Sequence, residues 1–306
     1  MAEWLYEDGI GETRAALIVD GRIIAARIVR DDAGARLGAV HSAQLTEPGV
    51  VRLSDGTTAT IARTPAGLTL GARLNVIVVR EALPEPGRVK PPRVAATDEA
   101  PRPAPSLRET LEGPVRVLRA HEPDALEAAG WSELLDEATR GDIAFPGGML
   151  RLTPTPAMML FDVDGGGALD ALADRAAAAV TAAIVRHDIG GSIGVDFPTI
   201  QGKEARQRVA AVIDATLPQP FERTAMNGFG FLQIVRPRPR ASLPELLRAD
   251  PVGAAARAAL REIERTPPGA PNRYRLPPAV AARIDARPDW LAELVRRTGR
   301  TPILDG

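Results

Sequence analysis

Residues 158–167, MMLFDVDGGG, and residues 190–197, GGSIGVDF, bracket an alanine-rich run from 168 to 189. Each flank is a short apolar stretch with β-branched or aromatic residues, bounded by glycine, as expected of a buried strand. The run between them predicts a helix over 169–187, stopped at Asp188-Ile189-Gly190-Gly191, where glycine can take a left-handed cap. A strand–helix–strand unit of this length joins parallel strands by a right-handed crossover. Ligands of open α/β sheets gather outside the carboxyl ends of such strands. Asp162 and Asp164, two apart, point to one face of the first strand, and Asp196 ends the second. Three carboxylates converging there need a cation, and hard oxygen donors favour Mg²⁺, with Mn²⁺ as the alternative. Such an ion polarises a phosphoryl oxygen and activates water. By spacing alone, Asp-X-Asp usually marks a turn or a helix cap.

Outward from this unit, residues 11–30 alternate around Asp20-Gly21 and predict a hairpin. Strands are expected at 37–46, 49–54, 57–62 and 72–80, the spacing of a small barrel. Residues 84–105 hold seven prolines and predict an extended linker, in which Arg88, Lys90 and Arg93 are solvated or touch RNA. A strand at 114–119, a helix at 123–139, and strands at 143–145 and 149–153 around Pro146-Gly147-Gly148 lead into the central unit. After it come a helix at 203–216, a strand at 230–235 and the tail Arg236-Pro237-Arg238-Pro239-Arg240. The remainder predicts helices at 252–265, 278–286 and 289–298 with strands near 273–276 and 301–304.

The 306 residues carry a net charge of −1, with 45% hydrophobic residues and no cysteine. Disulfides and thiolate zinc sites are therefore excluded. No 18-residue apolar run suggests a membrane span. Residues 1–12 are acidic and lack the layout of a secretory leader, so a cytoplasmic location is expected. Charge is uneven: residues 101–220 sum to −6 and residues 221–300 to +7, as suits a cation site beside a polyanion-binding surface. Uneven composition in an arginine-rich chain gives the same pattern. His41, His121 and His187 form no triad. His187, in the last helical turn, suits a cation at the negative end of the helix dipole. Phe229 and Phe231 either fill a core or stack on bases.

In order, FDVDGGG, RHDIGGSIGVDF and GFGFLQIVRPRPR resemble the three central signatures of the ribonuclease E/G family, with the Pro146-Gly147-Gly148 turn before them. The resemblance implies an α+β multidomain chain. Residues 1–36 would be opening strands of an RNase H-like part, 37–94 an OB-like barrel and 95–113 a proline-rich linker. Residues 114–240 would be a DNase I-like nuclease subdomain, and 241–306 a connecting helix with a small C-terminal domain. It implies a Mg²⁺-dependent endoribonuclease that cleaves single-stranded RNA with a metal-activated water. Asp162 and Asp196 would hold the metal. Asp164, an asparagine in the family, would orient the water or act as a third ligand, and Asp164→Asn would preserve or raise activity. Arg236, Arg238 and Arg240 would grip RNA phosphates. A catalytically inactive RNA-binding homologue and a metal phosphoesterase with another substrate are the other readings.

The chain departs from the family's pattern in several places. The family's second acidic residue falls at Thr199, and an asparagine of the following helix near Ala173. The region that senses a 5′-monophosphate is missing between about 94 and 114, so no preference for 5′-monophosphorylated RNA is expected. The Cys-Pro-X-Cys zinc link is replaced by residues 241–251. A monomer or a dimer without a zinc link should result. Light scattering with and without a zinc chelator should return one and the same mass; a mass that drops on chelation would contradict this.

Overall fold

The computed structural model describes residues 1–85 and 87–306, a mixed α+β chain. It divides into two compact units. One comprises residues 1–32, 107–132 and 247–306, the other residues 33–106 and 133–246.

The second unit holds the site. Its six-stranded sheet runs in the order Asp142–Phe145, Gly148–Pro154, Met159–Gly165, Gly191–Asp196, Phe231–Arg236, Glu222–Arg223. Met159–Gly165 and Gly191–Asp196 pair in parallel, as the crossover requires, and every other pairing in the sheet is antiparallel. The helix Leu169–Arg186 makes the crossover and packs against the helix Lys203–Thr216. One sheet face is dry. Leu150, Leu152, Phe161, Ile193, Val195, Leu232 and Ile234 are buried with Ala173, Ala176, Val180 and Ile184 of the crossover helix and Val209 and Ile213 of its neighbour. Alternation puts Arg151, Asp162, Asp164, Asp196, Phe231 and Gln233 on the opposite face, exposed or half-exposed.

The same unit contains a closed five-stranded barrel, compatible with the OB-like barrel expected. Its strands are Val40–Glu47, Val50–Leu53, Thr58–Ile61, Arg73–Arg80 and Arg93–Thr97. The last corrects the linker reading of 84–105. Arg93–Thr97 closes the barrel, parallel to Thr58–Ile61 and antiparallel to Arg73–Arg80, with Val94 buried in the core. Leu83–Glu85 and Arg88–Lys90 form a separate two-stranded ribbon. Two of the prolines stand at a strand margin: Pro91 and Pro92 precede the closing strand, where no ladder donor is lost.

The first unit is a four-stranded sheet in the order Val115–Val117, Glu3–Asp8, Glu12–Val19, Arg22–Arg30. It also contains the helices Pro251–Arg265, Pro278–Asp285 and Pro288–Thr298 and a parallel strand pair, Arg273–Arg275 with Ile303–Asp305. Arg14 and Arg257 are fully buried. Arg14 pairs with Glu7 and with Asp124 at 2.7 Å and lies over Trp131; Arg257 pairs with Asp32 at 2.8 Å and lies over Trp290. The helix expected at 123–139 is interrupted: Ala125–Ala128 and Trp131–Arg140 are separated at Gly130, whose φ is +95°. Among the described residues, no helix is long and apolar enough to cross a membrane.

His187 is not the dipole-stabilised cation expected. It is fully buried, with Nε2 3.4 Å from a carboxylate oxygen of Glu137. Burial pushes its pKa below the ordinary 6.5, despite Glu137. The left-handed residue after the helix is Asp188, with φ +54°, which precedes the glycines. Because the unfolded chain takes up the His187 proton at a higher pH than the folded one, stability is whole above about pH 6.5 and falls as the solution is acidified toward the folded-state pKa. The urea midpoint should therefore drop between pH 7.5 and 5, and His187→Leu should flatten that dependence. An unaltered slope in the variant would assign it to other groups.

Candidate functional site

Strand register brings the acidic residues together. Asp162 and Asp196 are direct partners across the parallel pair, and Arg151 is the partner of Asp162 on the other side. Phe231 lies opposite Asp196. One row on the open face thus reads Arg151, Asp162, Asp196, Phe231, with about 4.8 Å between neighbouring strands. Asp164 belongs to the next row, but its carboxylate meets Arg151 Nε at 3.0 Å. The carboxylates of Asp162 and Asp196 make no hydrogen bond or ion pair among the described residues.

Two adjacent carboxylates without a counter-cation repel each other and attract a positive partner. Open to solvent on a flat sheet face, they fit an ion such as Mg²⁺, which keeps several waters and is often held by one or two carboxylates plus substrate phosphate. They do not fit a caged ion. Among the described residues no group of three or more His, Cys, Asp or Glu is arranged to hold a metal. Asp164 stands with Arg151 rather than as a third member.

Beside the row, Met158, Leu160 and Phe231 close over Gly194, where a Cβ would lie 2.7 Å from Met158 Sδ and 2.8 Å from a Phe231 ring carbon. Phe231 is half-buried in this contact, whereas Phe229 is 83% exposed in the adjoining loop. Thr199 donates its hydroxyl to the Phe229 carbonyl at 3.2 Å.

The arginine tail differs from expectation. The strand ends at Arg236, and the three guanidinium groups turn to the protein. Arg236 donates to the Ile189 carbonyl at 3.2 Å, Arg238 pairs with Glu245, and Arg240 donates to Asp188 at 2.6 Å. All three are half-buried. They fasten the turn after the crossover helix and do not form a free row of phosphate-gripping cations. Their acceptors lie on other elements, up to 52 positions away.

A cationic groove that the linker reading obscured lies on the barrel. Thr60, Arg80, Arg88, Lys90 and Arg93 line a shallow cavity of about 560 Å³ between the barrel and the ribbon of Leu83–Glu85 and Arg88–Lys90. Burial, then Arg93 and Arg238, lower the Arg80 pKa from its ordinary value. Glu85 pairs with Arg88 at 2.8 Å, leaving an excess of positive charge. Such a groove suits a phosphate-bearing chain.

Comparison of the chain with protein-family models gives no match, and a search among curated proteins gives none either.

The Gly190-Gly191 pair explains how the arginine tail comes so close. A Cβ on Gly190 would lie 2.4 Å from the Pro237 carbonyl oxygen and 3.0 Å from Arg238 Cα. Gly190→Ala should therefore cost about 1–3 kcal/mol in urea unfolding by forcing the two segments apart. A variant as stable as the parent would mean that this approach is easily relaxed.

Proposed function

We propose that this protein is a divalent-metal-dependent endoribonuclease acting on single-stranded RNA, and that its second unit carries the chemistry. The observation that carries the reading is the in-register pair Asp162 and Asp196, without counter-cations, on the open face of a parallel βαβ unit. The ordered resemblance to the ribonuclease E/G signatures supports it and gives the pair its chemistry. On this reading residues 133–246 include a DNase I-like nuclease fold.

Mg²⁺ or Mn²⁺, when bound, neutralises phosphate charge and activates a water for attack on the phosphodiester. Asp162 and Asp196 would hold that ion, and the open face leaves room for an extended RNA strand. The barrel groove, with Arg80, Arg88, Lys90 and Arg93, would hold a further stretch of backbone. Arg236, Arg238 and Arg240 would support the turn that precedes the Asp196 strand, and direct RNA contact by them is not part of the reading.

A second reading, an RNA-binding homologue without cleavage activity, is favoured by one observation: among the described residues, only two carboxylates at the site are free of a cation partner. The two readings separate in a cleavage assay. With a fluorescent unstructured RNA and Mg²⁺, Asp162→Asn and Asp196→Asn should each lower the rate about a hundredfold or more, a loss of at least ~2.7 kcal/mol in transition-state stabilisation. RNA binding should stay nearly intact, because the groove lies on the barrel. Cleavage by Asp196→Asn at the parental rate, or cleavage that survives EDTA, would sink the metal reading. Binding without any cleavage by the parent would establish the second.

A further inference from the structure

We infer that Arg151 is the phosphate-gripping residue of this site and that Asp164 positions it rather than ligating metal. The inference rests on the nuclease reading above.

Arg151 lies on the Gly148–Pro154 strand, directly beside Asp162 and on the same open face. Its Nε meets Asp164 at 3.0 Å, and no other hydrogen bond or ion pair of Arg151 occurs among the described residues. The planar guanidinium is thus drawn toward Asp164 through one nitrogen in a solvent-exposed ion pair, with its two terminal nitrogens uncommitted beside the carboxylate pair. That fork matches two oxygens of a phosphate. A phosphodiester drawn to a cation on Asp162 and Asp196 would arrive one strand away from it. Donors already in place where negative charge grows stabilise a transition state without reorganisation.

Charge balance supports the assignment. Three carboxylates would burden the site with −3 and repel phosphate. Arg151 reduces this to −2, which one divalent ion neutralises. Asp164 and Arg151 together therefore replace a neutral side chain. This changes the expectation for Asp164→Asn: the substitution would release Arg151 and lower activity instead of raising it. Both partners are more than half exposed, at 62% and 56% of their side-chain surface, so neither is needed for folding.

The test uses the full chain and two readouts, single-turnover cleavage of an unstructured fluorescent RNA and Mn²⁺ affinity by electron paramagnetic resonance. Arg151→Gln should lower the rate at saturating RNA on the order of a hundredfold, with Mn²⁺ affinity within about twofold of the parent. Arg151→Lys should recover only part of the loss, since an ammonium is a point charge. Asp164→Asn should slow cleavage less, leave Mn²⁺ affinity unchanged, and add nothing to Arg151→Gln in the double variant. Urea midpoints near the parent's would exclude misfolding as the cause. If Arg151→Gln cleaves like the parent while Asp196→Asn is inactive, the inference is overturned and the nuclease reading stands. If Asp164→Asn loses Mn²⁺ as Asp196→Asn does, Asp164 is a ligand and the inference again fails. If the parent does not cleave, both fall.

Discussion

The parallel pairing of Met159–Gly165 with Gly191–Asp196 governs the second unit. A parallel pair cannot be closed by a tight turn, so the chain must leave the sheet, cross it and return. The helix Leu169–Arg186 does this, and Ala173, Ala176, Ala177 and Ala183 are fully buried on it. Small side chains let the helix axis come close to the sheet, and Leu172, Val180 and Ile184 fill the remaining space. With one sheet face covered, alternation sends every second side chain outward. The carboxylates are exposed because their neighbours Phe161, Val163 and Val195 are buried. Register then makes partners of Asp162 and Asp196, and moving either strand by one residue would send its outward set into the core.

The two units treat charge in opposite ways. In the first, Arg14, Arg257 and Arg261 are withdrawn from water, each with a carboxylate, and aromatic faces cover two of them. Burial of such pairs is costly, and removing one member leaves the other stranded. In the second, Asp162 and Asp196 face solvent unpaired. Water makes that arrangement cheap to maintain.

Much of this was legible in the sequence because it depends on local pattern. Apolar runs of strand length, the alanine-rich helix and the Gly-bounded turns place the βαβ unit within a residue or two. The barrel strands through Arg80 follow from their spacing. Its closing strand was hidden, since proline content describes composition and says nothing of whether Val94 has a core to enter. The protein partners of the arginine tail were not legible for a related reason: an arginine's partner is decided by tertiary packing, and Asp188 and Glu245 carry no local sign of that role. Arg151 could have been found. The turn at 155–158 pairs Pro154 with Met159, and counting back along both strands sets Arg151 opposite Asp162.

The interleaved chain of the first unit bears on the order in which the protein can form. Residues 1–32 pack with 107–132 and 247–306, whereas residues 33–106 and 133–246 make up the second unit by themselves. During synthesis the second unit is complete once residue 246 has emerged. The first must wait for the last segment, with the buried arginines of Pro251–Arg265 still inside the ribosome. Until then Glu7, Glu12, Asp31 and Asp32 lack those partners, and the apolar strands beside them stay uncovered. Domains generally fold as units, earliest-made first. Here residues 1–32 are made before the second unit yet belong to the unit finished after it, and that interval is when this stretch of nascent chain is most open to chaperones and proteases.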